Sequence, residues 1–460
     1  MDMAARSRFS CSRRNRTPSG AVVSFCLALL SISPALALTD EEIFRQFRFN
    51  LINPGARSLA LGGAFISLAD DATAAQANPA GLSILLRPEY FLELRRVDNG
   101  GDTTVLSESL PTGIGSAVGS GTNFSDINNI TFLSAVLPVK RVTFGISRQE
   151  VLKNESDTLN QFVLSFTNPS GLFSASGSGF IDVHLVSYNA SAGARLHDRF
   201  SLGASITLST LEVESEVRNL VVDTDGVVAP NPIPTPTLDL KTHISDSDNA
   251  LGYSLGAMYK ASESLSFGAV VRRAPKLAVA EEVIPGTDLF GVTTRLGRRF
   301  TNEFNIPDSF GVGGSWRPTQ RLTFALDVER VRYSSLADGF VPGVNALTGP
   351  TARFTVDDAT DVRLGGEWIL FTHGGAPIAF RGGVYTQPDS TLRAVSVGRK
   401  ALPSGGSIPF ATPEAFPGGK TEVHGAAGIG IVRGRLKLDF GMDLGSSDNE
   451  FLVSVIVQGN

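Results

Sequence analysis

The sequence predicts an all-β fold, namely a transmembrane antiparallel β-barrel of about 14 strands. Three observations indicate this class: apolar and polar residues alternate along many segments, the connections between these segments are alternately short and long, and charged residues are scarce. Hydrophobic residues make up 42% of the chain and charged residues only 18%, whereas about a quarter of an average soluble domain is charged. No apolar run of about 18 residues, the minimum for a spanning helix, occurs in the chain.

Residues 1–37 have the pattern of a secretory signal peptide. Arginines precede an apolar run at residues 21–32, and the small residues at 35–37 form a cleavage site. The apolar run is too short for a permanent anchor, so we expect the mature chain to begin near Leu38. Loss of this segment takes the formal net charge from −5 to about −9. Such an acidic chain is not expected to bind nucleic acid.

The alternation has a period of two residues, which is typical of β-strands. In RLKLDFGMDL, Leu438, Phe440 and Met442 share one face, while Lys437 and Asp439 share the other. Comparable segments are RVTFGIS, FSLGASITL, LGYSLGAMY, LSFGAV, RLTFALDVE, DVRLGGEWIL and PIAFRGGVY. A tilted strand needs about 9 to 11 residues to cross a bilayer, and these segments are near that length. A soluble β-sandwich alternates as well, so the periodicity alone does not decide between the two.

The connections favour the barrel over the sandwich. LPVKR and RPTQR predict short turns, and Pro- and Gly-rich stretches at 223–237, 276–292, 334–351 and 387–419 predict long loops. Short turns at one end and long loops at the other are typical of outer-membrane barrels. The face opposite the apolar one is rich in Gly, Ser and Thr. We therefore expect residues 87–460 to form a barrel in the bacterial outer membrane.

The alternation changes phase at residues 209–210. Apolar residues occupy even positions over residues 202–208 and odd positions at Leu211 and Val213. Two explanations fit this change: a β-bulge, or a strand that leaves the lipid here and continues above the membrane. The three glutamates among the residues that follow favour the extension.

The segment NPGARSLALGGAFISLADDATAAQANPAGL, at residues 53–82, is too apolar for a surface loop and too rich in Gly and Ala for a packed strand. A wide barrel encloses an aqueous channel unless something fills it. This segment precedes the first strong strand, EYFLELRRV, so we expect residues 38–86 to form a plug, or hatch, in the lumen. The alternative is an ordinary first strand at residues 62–68 and a helical turn at residues 71–77.

Small residues and proline mark the candidate hatch and gating positions. Glycine permits close approach to a barrel wall, and Asn-Pro stops regular structure because proline lacks a backbone donor and restricts the residue before it. The candidates are Gly62, Gly63, Asn78, Pro79, Ala80 and Gly81.

Residues 55–82 resemble the N-terminal signature of the FadL-type outer-membrane transporters, which include the TodX-like proteins. The sharpest part is Asn-Pro-Ala-Gly at residues 78–81, and weaker similarities occur at IPDSFGVGGSWRPTQRLTFALDVE, FRGGVYTQPDS and EVHGAAGIGI. The resemblance implies a barrel of about 14 strands with a lumenal hatch. It also implies uptake of hydrophobic small molecules, such as long-chain fatty acids or aromatic hydrocarbons, by hatch movement and lateral exit.

The Gly-Ala-Arg and Asn-Pro-Ala patterns also resemble the PorV-like barrels of a secretion system, which carry protein cargo. A carrier of protein cargo is therefore the alternative function. For the transporter, the expected partners are a hydrophobic ligand, outer-membrane lipids and the barrel assembly machinery, and we expect a monomer.

The sequence offers little that suggests catalysis or metal binding. The five histidines lack the spacing of a metal site, and both cysteines, Cys11 and Cys26, lie in the predicted signal peptide. Asp223, Asp225, Asp246 and Asp248 are either Ca²⁺ ligands at the outer surface or ordinary turn residues, and the turn is the more frequent role. We expect a protein that is not an enzyme and has no metal site and no cofactor.

Two groups of residues are candidates for ligand contact. Apolar patches in the predicted outer loops are candidate capture sites, because contiguous apolar surface is unusual in water-facing loops. These residues are Leu172, Phe173, Leu289, Phe290, Phe340, Ile408 and Phe410. Cations on the polar face, Arg363, Arg381 and Lys437, are either partners of a ligand carboxylate or members of an ion-pair ladder with lumenal carboxylates.

Overall fold

A computed structural model describes most of the chain after the predicted signal peptide. The described residues are 52–109, 115–167, 170–223, 236–284, 298–338, 353–371, 376–390, 393–396, 398–401, 407–411, 420–445 and 449–460. Residues 1–37, predicted to be the signal peptide, and residues 38–51 of the predicted hatch lie outside this set. No helix in the described ranges is long and apolar enough to cross a membrane.

Strands dominate the described residues. The strands are β1 (Glu89–Ser109), β2 (Gly115–Val139), β3 (Val142–Thr167), β4 (Ser170–His197), β5 (Phe200–Asp223), β6 (Pro236–Lys260), β7 (Leu265–Arg273), β8 (Lys276–Ile284), β9 (Arg298–Asn305), β10 (Ser309–Thr319), β11 (Leu322–Val331), β12 (Arg353–Thr355), β13 (Ala359–Phe371), β14 (Pro377–Gln387), β15 (Arg393–Ser396), β16 (Gly398–Ala401), β17 (Ser407–Ala411), β18 (Glu422–Arg433), β19 (Leu436–Leu444) and β20 (Asn449–Gln458). The helical elements are α1 (Ala56–Ala60), α2 (Ala74–Ala77) and the 3₁₀ helices η1 (Pro79–Ile84) and η2 (Tyr333–Ala337).

Fourteen of the described strands close into an antiparallel barrel. Strands β1 to β7 pair in sequence order and are followed around the wall by β10, β11, β13, β14, β18, β19 and β20. The barrel closes where β20 pairs with β1, from Glu89 opposite Gln458 to Asp98 opposite Asn449. The predicted fold class is therefore confirmed.

The two ends of the barrel differ in the length of their connections, as the sequence predicted. Tight turns at one end join β2 to β3 at Lys140 and β18 to β19 at Gly434, both with positive φ. The opposite end carries the long connections. The prediction of a plain loop over 276–292 is wrong in part, because KLAVAEEVI forms β8, with Leu277 and Val279 alternating as in any strand. Three short strands, β15 to β17, likewise lie within the predicted loop at 387–419.

The outer surface of the barrel is apolar and the inner surface polar. On β11, Phe324, Leu326 and Val328 are 40%, 47% and 37% exposed, whereas the alternate residues Asp327 and Glu329 are buried. A soluble sheet protein has the reverse arrangement, with charges outside and apolar side chains inside. The alternation therefore identifies an apolar band that faces lipid.

Strand β5 explains the phase change at residues 209–210. Its register with β4 continues without a shift through Ser209 opposite Ser187 and Thr210 opposite Val186, so a β-bulge is not the cause. The exposed Leu208 ends the apolar band, and the next apolar residue, Leu211, is buried. The strand therefore extends above the membrane, and there its apolar side chains face the lumen.

The hairpin β8–β9 folds against this inner apolar surface. It continues the sheet beside β6, where Lys241 pairs with Ile284 and Ile244 with Glu281. We name the resulting buried group the apolar cluster; it consists of Val151, Leu152, Val183, Leu185, Leu211, Leu277, Val279, Phe304 and Ile306.

The described part of the predicted hatch, residues 52–86, lies inside the barrel, and most of its side chains are buried. Residues 62–68 form turns rather than the alternative first strand. Helix α2 is shorter than the helical turn proposed at 71–77, and it ends at Ala77 because Asn78 is extended, with φ −158°, and Pro79 follows. We call residues 52–86 the hatch.

Candidate functional site

The hatch contacts the wall where the wall carries inward-facing glycines. A Cβ added to Gly441 would lie 2.6 Å from the carbonyl oxygen of Ala56, and one added to Gly268 would lie 2.5 Å from that of Ile66. Such distances are well inside van der Waals contact, so any larger residue would displace the hatch. We name these positions the glycine belt: Gly193, Gly203, Gly256, Gly268, Gly365, Gly383, Gly428 and Gly441.

Two candidate gating glycines complete this close fit from the side of the hatch. Gly62 and Gly63 have φ of +64° and +77°, which L-residues with a side chain rarely adopt. A Cβ on Gly62 would approach the Val384 carbonyl oxygen to 2.9 Å, and one on Gly63 would approach Arg363 Cδ to 3.1 Å. Conformation and space therefore both require glycine here.

The other four candidates, residues 78–81, form a bend that contacts both an earlier part of the hatch and the wall. Asn78 Nδ2 donates to the Ile66 carbonyl at 2.9 Å and to the Ala257 carbonyl of β6 at 3.3 Å. The Asn78 side chain also accepts from the Ala80 N–H at 3.2 Å. Pro79 rests on three glycines of the belt, and Gly81 packs on Ala69.

Buried carboxylates of the wall hold the hatch backbone. Asp327 Oδ2 accepts hydrogen bonds from the N–H groups of Phe65 at 2.6 Å and Ile66 at 2.8 Å. On the other side of the lumen, Glu93 Oε2 accepts from the Gly55 N–H at 2.5 Å. Charged acceptors of backbone N–H groups make stronger hydrogen bonds than neutral ones, so these contacts fix the hatch in place.

Arg57 links the hatch to the wall by ion pairs. Its guanidinium lies 2.5 Å from Asp70 and 3.1 Å from Glu367 of β13, and Asp71 is 3.8 Å away. Glu367 also pairs with Arg381 of β14 at 2.7 Å. Burial raises the pKa of the hatch residue Asp71, and the neighbouring Arg57 acts in the opposite direction.

The other two predicted lumen cations are also paired. Arg363 lies 2.6 Å from Glu329 and 3.0 Å from Asp361, and Lys437 lies 3.8 Å from Glu89. Arg363, Arg381 and Lys437 therefore occupy the ion-pair ladder that was one of their two predicted roles.

Arg272 of β7 makes four hydrogen bonds, two of them to the hatch. We name this set of contacts the Arg272 clasp. One terminal nitrogen donates to Glu329 at 2.6 Å and to Ser309 at 3.5 Å, and the other donates to Asn53 Oδ1 at 3.2 Å and to the Ala77 carbonyl at 2.6 Å. Asn53 lies at the start of the hatch and Ala77 at the end of α2. Arg272 therefore ties two parts of the hatch that are distant in sequence to the wall.

A cavity of about 90 Å³ lies between the hatch and the wall beside Arg272. We name it the lumen cavity. Ile52, Asn53 and Gln76 line it from the hatch. The wall contributes Gln149, Val151, Ser187, Thr207, Ser209, Tyr253, Ser254, Arg272, Arg273, Ala274, Pro275, Ile306, Pro307, Ser309, Glu329 and Val331. Val151 and Ile306 also belong to the apolar cluster, so the cavity is continuous with it.

The wall is discontinuous next to the lumen cavity. Pairing of β6 with β7 ends where Tyr253 faces Arg273, and pairing of β6 with β8 begins only at Ile244 opposite Glu281. Between these points β6 has no regular ladder partner on this side. We name residues 245–252 and the facing chain at 274–280 the wall break.

Side chains replace the missing ladder in the wall break. Asp248 Oδ2 accepts from the Ala278 N–H at 2.8 Å, and Asp246 Oδ2 accepts from the Ala280 N–H at 2.7 Å. Asp246 and Asp248 therefore bind the backbone of β8 and do not occupy the turn that was predicted for them. No group of three or more metal-binding side chains occurs in the part of the chain that the structure describes.

The wall break lies at the outer edge of the apolar band. Leu251 and Tyr253 face outward and are 69% and 52% exposed, whereas the next outward residue, Asn249, is polar and hydrogen-bonded to Thr210. Tyr253 also lines the lumen cavity. The cavity thus reaches from the hatch to the lipid-facing surface.

The structure describes only part of the predicted capture residues. Leu172 and Phe173 lie on β4 and Ile408 and Phe410 on β17, so their assignment to loops is wrong. In both places, Gly, Ser and Pro near the apolar pair obscured a strand. Leu289, Phe290 and Phe340 lie outside the described residues.

Sequence reasoning missed the glycine belt, although its signal is present. Glycines recur on the polar face of nearly every strand, as in FRGGVY, where Gly383 faces the hatch. A glycine contacts the hatch only if it lies at the same height in the barrel as the hatch. That height is set by the register of the strands, which the sequence alone does not give.

An antiparallel barrel with a lipid-facing apolar band, a charged interior and a lumenal plug is a plugged outer-membrane transport barrel. The chain belongs to the outer membrane protein transport protein family (OMPP1/FadL/TodX), whose model matches residues 47–368. The family is one of transport proteins, and this membership favours a transporter over the carrier of protein cargo.

Solved structures share the fold. A FadL homologue from Pseudomonas aeruginosa is 13% identical with a TM-score of 0.56, and the match covers 89% of this chain and 98% of that chain. The toluene transporter TodX from Pseudomonas putida is 16% identical with a TM-score of 0.53, over 89% and 100% of the two chains. The toluene transporter TbuX from Ralstonia pickettii is 15% identical with a TM-score of 0.51, over 89% and 98%. No curated protein matches the sequence significantly.

Proposed function

We propose that the protein takes up hydrophobic small molecules through the lumen and releases them sideways into the membrane at the wall break. The observation that carries this proposal is the lumen cavity, which touches the hatch at Asn53, the apolar cluster at Val151 and the outward-facing Tyr253. Two similar structures are those of toluene transporters. We assign no covalent step to the protein.

The first stage of the route is capture above the hatch. The apolar cluster lies between the inner face of β3 to β5 and the hairpin β8–β9, so outward movement of the hairpin exposes apolar surface for a ligand. The predicted capture residues extend this surface in the proposal: Leu172, Phe173, Leu289, Phe290, Phe340, Ile408 and Phe410.

The second stage requires the hatch to shift. The lumen cavity measures about 90 Å³, less than the roughly 150 Å³ of a protein cavity that accepts benzene. A ligand therefore widens the cavity by loosening the Arg272 clasp. The candidate gating residues, Gly62, Gly63, Asn78, Pro79, Ala80 and Gly81, then set how far the hatch moves.

The third stage is exit through the wall break. Pro275 closes the break from inside, because a Cβ on Gly252 would lie only 3.0 Å from its ring. The Asp246 and Asp248 side chains and this contact help to hold the two edges in place of a backbone ladder. Opening here costs fewer backbone hydrogen bonds than opening between fully paired strands.

The proposal includes the cellular setting. The exposed apolar band contacts outer-membrane lipids, and the barrel assembly machinery inserts the chain. We propose a monomer, because the fourteen wall strands pair with one another around the ring and so need no second copy to complete the barrel.

Uptake by intact cells tests the proposed function. Cells without their own channels receive the full chain, an Ala274→Trp variant that fills the lumen cavity, or an Ala261→Trp control at a tight turn. The full chain and the control should accumulate labelled toluene or laurate. Ala274→Trp should reduce uptake about tenfold, which corresponds to about 1.4 kcal/mol of added barrier. Uptake of neither compound, or equal uptake by Ala274→Trp, would refute the proposal.

A further inference from the structure

We infer that the transported ligand is electrically neutral, so that hydrocarbons and esters pass while carboxylates of similar shape are rejected. This inference rests on the proposed function. Its first support is Arg272, the lumenal cation of the cavity. Each of its terminal nitrogens already donates to two acceptors, and Glu329 neutralises its charge at 2.6 Å. A carboxylate gains Arg272 only by displacing these partners.

Five further cations of the lumen give a carboxylate no better site. Each of the five has one or more carboxylates beside it. Arg57 has Asp70, Asp71 and Glu367; Arg363 has Glu329 and Asp361; Arg381 has Glu367 and Asp439; Arg95 has Glu450; and Lys437 has Glu89. These pairs neutralise the five cations, and Arg195 donates to the carbonyl of the hatch residue Ser83 at 3.3 Å.

Further buried carboxylates make the lumen acidic. Asp327 and Glu93 accept hydrogen bonds from backbone N–H groups of the hatch. Asp443 accepts from the Tyr385 hydroxyl at 2.5 Å and lies 2.9 Å from His424 Nδ1. These carboxylates lie in the same lumen as the lumen cavity, whose own lining carries Glu329. Their negative charge opposes both the approach and the burial of a ligand carboxylate.

The remaining surface of the route suits an uncharged molecule. The apolar cluster consists of aliphatic side chains and one phenylalanine. Around the lumen cavity the additional polar groups are serines, a threonine and amides. Arg273, at the outer mouth, is paired with Asp308. A shift of the hatch breaks the contacts of Arg272 with Asn53 and Ala77 and leaves its ion pair with Glu329. A neutral ligand therefore contacts every stage of the route without displacing an ion pair.

A matched acid and ester test the inference on the unaltered protein. Initial uptake rates of labelled laurate and methyl laurate are compared at pH 7.5 in cells that carry the full chain, after subtraction of the rates in cells without it. The ester should enter at least about tenfold faster than the acid. Equal rates, or faster entry of laurate, would overturn the inference and leave the proposed function intact. Entry of neither compound would overturn the proposed function, and the inference with it.

A charge variant tests the cause of the selectivity. Glu329→Gln removes one lumenal carboxylate and leaves Arg272 and Arg363 less neutralised. Glu263→Gln is the matched control, because Glu263 is exposed at a tight turn, where it pairs with Lys260. Heat-dependent gel mobility verifies that each barrel is folded. The ratio of ester to acid uptake should fall severalfold in Glu329→Gln and stay unchanged in the control. An unchanged ratio in folded Glu329→Gln would show that the lumenal charge does not select the ligand.

Discussion

Single glycines decide how closely the hatch fits the barrel. On the wall, Gly268 and Gly441 leave room for the backbone of the hatch, and on the hatch Gly62 approaches the backbone of β14. Backbone atoms on both sides cannot move aside as a flexible side chain can. The fit is therefore sensitive to one added methyl group.

A substitution at Gly62, compared with one at Gly434, separates the cost of overpacking from the cost of left-handed backbone strain. Gly62→Ala adds a Cβ 2.9 Å from the Val384 carbonyl oxygen, whereas Gly434→Ala adds one at nearly the same φ with nothing within 4 Å. Both variants bear the left-handed strain. Gly62→Ala should lose about 1 to 3 kcal/mol more in the free energy of unfolding, measured in urea with lipid vesicles. Equal losses would show that the hatch is not tightly packed there.

An arginine substitution within the apolar band tests whether this band faces lipid. Phe324→Arg places a charge in the middle of the apolar band and should cost about 2 to 4 kcal/mol of unfolding free energy. Val423→Arg changes an exposed apolar residue beside Glu422 at the outer rim, where the cost should be about 0 to 1 kcal/mol. Similar costs at both positions would contradict a lipid-facing band.

At the scale of elements, separate side-chain contacts from several wall strands hold the hatch. Asp327 of β11 binds two backbone N–H groups, Arg272 of β7 binds Asn53 and Ala77, and Glu93 of β1 binds Gly55. No continuous ladder joins the hatch to the wall in the described residues. The hatch can therefore loosen locally while the barrel stays closed.

Removal of the Asp327 carboxylate tests this arrangement. Asp327→Ala leaves the buried N–H groups of Phe65 and Ile66 without their acceptor, at a cost of about 1 to 3 kcal/mol. Amide hydrogen exchange of residues 62–69 should then be about tenfold faster or more. Asp358→Ala, which removes a similar contact to the Ser334 N–H outside the lumen, should leave exchange in the hatch unchanged. Unchanged exchange in Asp327→Ala would mean that other contacts hold this part of the hatch.

The elements also show what the sequence was able to predict. Alternation identified β11 and β19, because one face of each contacts lipid and the other water or the hatch. It failed for β8, since KLAVAEEVI was read together with the Pro- and Gly-rich residues after it. The partners of Arg272 were not predictable, because Glu329, Asn53 and Ala77 are distant in sequence and meet only when the barrel closes around the hatch.

At the scale of the whole molecule, the barrel combines a closed lumen with a weak point in its wall. The hatch and hairpin β8–β9 fill the lumen, while the wall break interrupts the ladder beside the lumen cavity. In the proposed function this combination keeps ions out and leaves a lateral route for an apolar molecule. The acidic lumen predicts the behaviour of the barrel once the hatch is absent, because carboxylates lining a pore favour cations.

Single-channel recording of the full chain and of a variant lacking residues 52–84 tests the central claim, that the hatch seals the barrel. The full chain should remain closed to ions. The deletion variant, once its heat-dependent gel mobility shows a folded barrel, should form a steady, cation-selective pore. An inserted, folded deletion variant that stays as closed as the full chain would contradict the claim, because the lumen would then be sealed by something other than the hatch.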